Sequence, residues 1–258
     1  MNKYTLAIMM SGGLDSFVAY HYAQKELNIP KDQIVCVWVN LGQPYNHKEE
    51  QAITNLQELH SLQNVRKITC DILRAEWDNL PQVEEPKQII PARNLLLASI
   101  GAMYGNTVWI CALESEMHDK NPLQLDKSHK FYKLATDTLT ATHGVNIKVE
   151  TPFSSMSKTD LIAWSLKNGI SKEELLSTST CYDENIRNCG KCGTCFKRKI
   201  GFILNDIDEH YENDPFTSDF AQPYLRKLLD AQAKQDYSHY TQKRVEETIL
   251  AMSKNKKE

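Results

Sequence analysis

Two groups of residues in this chain have types and spacings that can do chemistry. The first is Cys181-x7-Cys189-x2-Cys192-x2-Cys195. Four thiolates so spaced can close a tetrahedral shell around zinc, and an iron–sulfur cluster also takes four cysteines. The run leaves no coordination position open, which suits a structural ion better than a catalytic one. Gly190 and Gly193 relieve crowding where the chain would wrap the ion. Of the seven cysteines, the other three, Cys36, Cys70 and Cys111, fall singly in apolar segments that read as strands, as buried thiols do.

The second group is Ser11-Gly12-Gly13-Leu14-Asp15-Ser16. Glycines there let successive backbone N–H groups turn toward one anion. A helix start just after them would add partial positive charge, and Ser11 and Ser16 can donate hydroxyl hydrogen bonds. Asp15 would repel a phosphate, unless a divalent cation bridges the two. The stretch has neither the Gly-Lys-Ser/Thr end of one phosphate loop nor the three spaced glycines of another. An ordinary strand-to-helix turn with a Ser or Asp cap would use the same residues.

The elements that must position these groups follow from periodicity. Short apolar runs at 4–10, 65–72, 107–113 and 145–153 predict strands, and the continuous β-branched and apolar run at 33–41 suits a strand buried on both faces. Helical spacing predicts helices at 17–27, with Val18, Tyr22 and Leu27 on one face, and at 46–62. Further helices are predicted at 93–105, closed by Gly105, and from about 130 to 142. A helix over 157–169 has a Ser start, an Asp three residues on and a Gly stop. Strand and helix alternate, which predicts an α/β fold: a parallel five-stranded sheet with helices on both faces, Rossmann-like. Ligands in such sheets bind at the carboxyl ends of the strands, and the Gly-rich loop sits at the first of them. The reading divides the chain into a nucleotide-binding domain at 1–176 and a small metal-binding helical region at 177–258. The polar end of that region is expected to be solvated and frayed.

Composition is that of a globular protein, with 41% apolar and 24% charged residues in 258. A net charge of −3 supplies no field to hold a nucleic-acid backbone. No run reaches the length of a membrane span, and no leader pattern opens the chain, so a cytoplasmic location is expected.

Ser-Gly-Gly-Leu-Asp-Ser after a first strand resembles the pyrophosphate loop of the N-type ATP pyrophosphatases, the adenine nucleotide alpha hydrolase-like superfamily. These enzymes cleave ATP between the α- and β-phosphates and adenylate a substrate. Cys181-Tyr182, Cys189 to Cys195, Arg198 and Gly201-Phe202 resemble the C-terminal motif of the 7-cyano-7-deazaguanine synthase family. Residues 41–49, 90–105 and 150–162 resemble the family's Gly-Gln, Pro-x-Arg-Asn and Thr-Pro…Lys segments in the same order.

The resemblance implies ATP, Mg2+ and Zn2+ as cofactors. It implies 7-carboxy-7-deazaguanine and ammonia as substrates, and a homodimer. Ser11, Gly12, Gly13, Leu14, Asp15 and Ser16 would hold the pyrophosphate, with Asp15 toward Mg2+. Arg93 would offer phosphate a bidentate fork, or else make a structural ion pair. Lys158 would contact the α-phosphate or the substrate carboxylate, or else be an exposed first-turn lysine. One family feature is missing: the Ser-Gly-Tyr-Pro-Asp-Cys-Arg stretch after strand four, implicated in holding the base. Residues 114–132 stand there instead, with Glu114, Glu116 and Asp119 as candidates to pair with the base edge. Rival readings are a homologue that attaches a deazaguanine to a macromolecule in phage defence, a tRNA-modifying enzyme of the same superfamily, and a non-catalytic ATP-binding subunit.

Overall fold

A computed structural model describes residues 4–72, 74, 79–80, 82–84, 87–88, 90, 92–117, 125–184 and 187–255. The chain divides into two compact units: Met1–Ser155 with Ser177–Ser179, and Met156–Leu176 with Thr180–Glu258. This differs from a single cut at 176, because the helix after residue 157 belongs with the helices that follow it.

The first unit is built on β1 (Tyr4–Met9), β2 (Ile34–Asn40), β3 (Val65–Thr69), β6 (Gly105–Trp109) and β7 (Lys148–Glu150). A short antiparallel pair, β4 (Gln82–Glu84) and β5 (Lys87–Gln88), lies apart from them in a second sheet. The five strands run parallel in the order β3-β2-β1-β6-β7. Strand order therefore reverses between β1 and β6, the kind of crevice where ligands bind in open α/β sheets. Of β1 only Thr5 is exposed, and β2 is buried except at Asn40. Strands covered on both faces cannot alternate apolar with polar, which is why these segments read as continuous apolar runs.

The helices of this unit are α1 (Leu14–Lys25), α2 (Asn46–Glu58), α3 (Arg93–Ala102) and α4 (His129–His143). Ala7, Val35, Val37 and Val108 form one core with Ala98 and Ala102 of α3 and with Tyr132, Ala135 and Leu139 of α4. The alternate residues Leu6, Ile8, Ile34 and Cys36 are fully buried too.

Several expectations shift. Helix α1 begins at Leu14, three residues earlier than its periodicity suggests, so Asp15 and Ser16 lie in its first turn; Leu27 falls beyond its end and is 50% exposed. Gly105 does not close α3 but opens β6, pairing with Tyr4. Cys70 and Cys111 lie just past the ends of β3 and β6 rather than inside them, and both are half-buried.

The second unit holds α5 (Lys158–Lys167), α6 (Lys172–Ser177), α7 (Gly193–Leu204), α8 (Ala221–Lys234) and α9 (Gln242–Asn255). Its core joins Phe196 and Ile200 of α7 to Phe216, Ala221, Leu225 and Ala251. Up to residue 255 the polar segment is not frayed: α9 buries Val245, Thr248 and Ala251 along one face. A stripe this narrow leaves the segment polar on average while still anchoring it. Among the described residues, no helix is long and apolar enough to cross a membrane.

Candidate functional site

In the first unit, β1 delivers the chain to the loop at the strand-order reversal. Gly12 is left-handed, with φ +67°, and a Cβ there would lie 2.7 Å from the Glu49 carbonyl oxygen. Only glycine meets both demands. Gly13 caps α1 with no side-chain bond. The two serines hold the turn: buried Ser16 donates its hydroxyl to the Gly13 carbonyl at 3.1 Å and accepts the Ser11 N–H at 3.2 Å. The Ser11 hydroxyl accepts the Gly13 N–H at 3.3 Å. These bonds fix the turn from within, and the Gly12 carbonyl accepts the Ser179 N–H at 2.9 Å from outside it. First-turn N–H groups of a helix have no carbonyl within the helix to bond, and the helix end adds partial positive charge. Leu14, Asp15 and Ser16 occupy that turn, with the Asp15 carboxylate half-buried. This arrangement suits an anion accompanied by a cation.

Two neighbours join the loop. Glu49, on the first turn of α2, accepts the Trp38 indole N–H at 3.0 Å. Burial pushes its carboxyl up to about 7, while the indole N–H and the Arg93 charge act in the opposite direction. Arg93 opens α3, preceded by Ala92 at φ +56°. A non-glycine residue there is uncommon and strained. The Arg93 charge thus acts on the Glu49 carboxyl, and the Glu49 backbone carbonyl lies against Gly12. Glu49 was visible in the sequence only as the end of the 41–49 segment; its bond to Trp38, 11 residues away, is announced by no local pattern.

Across the reversal, at the end of β6, Cys111 is pushed up in pKa by burial first and by the Asp15 charge next, with Lys127 opposing. Glu116 accepts the Leu113 N–H at 3.2 Å and pairs with Lys127 at 2.9 Å. Asn94 of α3 donates to the Asp126 carbonyl at 3.0 Å, and the Tyr132 hydroxyl donates to the Ile110 carbonyl at 2.7 Å. Glu116 is thus already ion-paired, Glu114 lies on the same turn, and Asp119 lies outside the described residues.

In the second unit, Cys181, Cys189, Cys192 and Cys195 are all buried, and their sulfurs lie within 4.8 Å of one another. The Cys189 and Cys195 sulfurs are 4.0 Å apart, against about 3.8 Å for two thiolates on one tetrahedral ion with bonds of about 2.3 Å. The donor set fits a single metal ion. Backbone shapes it: Gly190 has φ +73°, and a Cβ there would fall 1.7 Å from the Asn213 carbonyl oxygen. Asn213 in turn donates its side-chain amide to the Cys189 carbonyl at 2.9 Å. The Lys191 N–H points to the Cys189 sulfur at 3.3 Å, and the Cys189 N–H to the Cys181 sulfur at 3.4 Å. Hydrogen bonds from Cys181 first, and then from Cys195, hold Cys189 below the ordinary thiol range against an opposing Cys192, while Cys181, Cys189 and Cys195 together hold Cys192 below it.

Beside the thiols, Arg198 is buried and clamps Glu209 through Nε and Nη2 at 2.8–3.0 Å. The pair is 1% and 4% exposed at its side chains. Tyr211 donates to the same carboxylate at 2.5 Å and packs on the four cysteines. Arg198 stood out in sequence; Glu209 and Tyr211 did not, since nothing in spacing ties them to it.

Lys158 lies in this second unit, in the first turn of α5. Its stem runs along α7, where a Cβ on Gly201 would sit 3.2 Å from Lys158 Cγ. The expected capping is present, with Ser157 as cap and Asp160 closing the box.

Residues 5–206 match the family model described as queuosine biosynthesis protein QueC. A 7-cyano-7-deazaguanine synthase of Sulfurihydrogenibium sp. (strain YO3AOP1) is 26% identical over 223 residues, covering 77% of this chain and 94% of that one. Another, from Sulfolobus acidocaldarius, is 23% identical over 231 residues; the match covers 82% of this chain and 48% of that one, about half its length. Among solved structures, the U34-tRNA thiolase NcsA from Methanococcus maripaludis, with its 4Fe-4S cluster, aligns at a TM-score of 0.43 and 17% identity, covering 88% of this chain and 72% of that one. A score that low leaves the fold to be read from the strand order itself.

Proposed function

This chain belongs to the QueC family of queuosine biosynthesis proteins, and on that premise we propose that it is an ATP-dependent carbon–nitrogen ligase. It converts 7-carboxy-7-deazaguanine and ammonia to 7-cyano-7-deazaguanine. The observation that carries the reading is the loop at the β1/β6 reversal. There Gly12 lies against the Glu49 carbonyl and Asp15 stands in a helix's first turn, within a chain whose curated relatives are named 7-cyano-7-deazaguanine synthase.

In this reading, the substrate carboxylate oxygen attacks the α-phosphorus of ATP and pyrophosphate leaves. Ammonia then displaces AMP to give the amide. The amide oxygen then attacks the α-phosphorus of a second ATP, with loss of pyrophosphate and one amide proton, and loss of AMP with the other proton leaves the nitrile. The protein's task is alignment and charge, not covalent chemistry. Ser11 to Ser16 grip the pyrophosphate as it leaves. Arg93 forks onto phosphate oxygens, and Lys158 contacts the α-phosphate or the substrate carboxylate. Mg2+, when bound, neutralises phosphate charge, and a single carboxylate, Asp15, with phosphate oxygens is its usual donor set. The four thiolates hold structural Zn2+. Their close spacing supports one shared ion, because an iron–sulfur cluster puts its thiolates on separate irons and spreads them wider.

The test supplies Mg-ATP, ammonium and the carboxylate, and follows pyrophosphate release and product mass. Pyrophosphate with a nitrile product is expected. Uncleaved ATP would sink the ligase reading. One second reading is transfer of the activated acyl group to a macromolecule, since the family's base-holding stretch is missing here and the Glu116 carboxylate is already held by Lys127. AMP formation with a conjugate and no nitrile would establish it.

A further inference from the structure

Helix α9 lies wholly beyond residue 206, where the family match ends. It shares the second unit with α5, and it reaches both members of the capping box that starts α5. Within that box, the Ser157 hydroxyl accepts the Asp160 N–H at 3.1 Å and Asp160 accepts the Ser157 N–H at 2.8 Å. A capping box needs no more than this. Yet Ser157 also donates its hydroxyl to Glu247 at 2.6 Å, and the Lys243 ammonium pairs with the Asp160 carboxylate. Lys243 and Glu247 are one helical turn apart, so a single face of α9 presents both charges to one cap.

The contact is sheltered at its serine and open to solvent at its ion pair, where the Lys243 and Asp160 side chains are 43% and 34% exposed. Ser157 is 7% exposed. Burial pushes the Glu247 carboxyl up in pKa, with the Ser157 hydroxyl opposing. Burial also works against Asp160, but Lys243 and Ser157 hold its carboxyl below the usual range. Helix α9 is itself anchored by buried Val245, Thr248 and Ala251, and Lys254 donates to the Ile203 carbonyl of α7 at 3.0 Å. From its other side, α7 presents Gly201 to the Lys158 stem and to Ile162.

We propose that α9, through Lys243 and Glu247, is a positioning element for Lys158, fixing the first turn of α5 so that the ammonium is presented in one direction. The proposal rests on the role given to Lys158 above.

The test uses the full metal-loaded chain with Lys243→Ala and Glu247→Ala, singly and together, beside Lys243→Arg and Lys158→Ala. Amide hydrogen exchange reports the start of α5, and pyrophosphate release gives kcat and KM for ATP. Loss of these cap partners is expected to speed exchange at 157–161 roughly fivefold, the size of a lost cap. Exchange in α1 stays as in the wild type, kcat falls by a similar factor, KM holds, and Lys243→Arg restores both readouts. Unchanged exchange at 157–161 overturns the proposal. So does faster exchange with unchanged kcat while Lys158→Ala is inactive. So does a fall in kcat that tracks metal loss and loosening throughout α7 and α9. Full turnover by Lys158→Ala refutes the assignment of Lys158 instead, and with it the catalytic consequence of the clamp; the exchange data tell this failure from the others.

Discussion

Replacing Gly12 by alanine should separate the backbone geometry of the loop from everything else near it. Two costs add. An L-residue at φ +67° is in the left-handed region, worth about 1–2 kcal/mol. The new Cβ would also sit 2.7 Å from the Glu49 carbonyl oxygen and 3.1 Å from Ala52 Cβ. Neither partner is a flexible side-chain end, so the loop or the start of α2 must move, as overpacked cores do at a cost of about 1–3 kcal/mol. Reduced unfolded-chain entropy returns about 0.4–1 kcal/mol. The net expectation is a loss of about 2–4 kcal/mol.

Gly144→Ala is the control. Its φ is +66° and nothing lies within 4 Å of the added atom, so only the backbone cost of about 1–2 kcal/mol, less the same entropy return of about 0.4–1 kcal/mol, applies. Urea unfolding of both variants measures the difference. In the pyrophosphate assay, Gly12→Ala is expected to raise KM for ATP at least about tenfold, a shift of roughly 1.4 kcal/mol, and Gly144→Ala to leave it alone. Equal destabilisation of the two variants would refute the close-approach argument. Loss of stability with an unchanged KM would refute the loop's role in holding ATP.

Glu49 has a folded pKa of about 7 against 4.5 unfolded, so the folded chain holds that proton more tightly. Its contribution is present below about 4.5 and lost as pH rises through 7. Glu49→Gln, which keeps an acceptor for Trp38, is therefore expected to be more stable than the wild type at pH 8 and equal near pH 4 in urea titrations; the same gap at both pH values would contradict this. Arg198→Met strands the buried Glu209 carboxylate and should cost about 3–5 kcal/mol, with Arg198→Met/Glu209→Leu recovering most of it. A double-mutant cycle that sums without coupling would rule out the clamp. Chelation should remove about one ion per chain and release exchange protection at 189–196, with α1 protection kept. Metal analysis and exchange on the same sample check both halves.

Much of this was legible because it is local. The Ser157–Asp160 box, the strand runs around Ala7 and Val37, and the Ser11–Ser16 turn are settled by neighbours a few residues away. Errors arose where distant partners overrode local cues. Gly105 looked like a helix stop, but it pairs with Tyr4 as a strand residue. The polar stretch after residue 235 looked solvated, but a three-residue stripe suffices to bury one face of α9.

By itself, the sequence determined which chemistry the chain can carry: four thiols at metal-binding spacing, and a serine–glycine–aspartate turn between strand and helix. Ligand sets and turn conformations are written in short runs. Only tertiary structure decided that the Glu49 backbone closes against Gly12, that Glu209 balances Arg198, and that α9 clamps the helix start bearing Lys158. Those contacts join residues up to 90 positions apart, and no local period encodes which distant side chain will be buried against which.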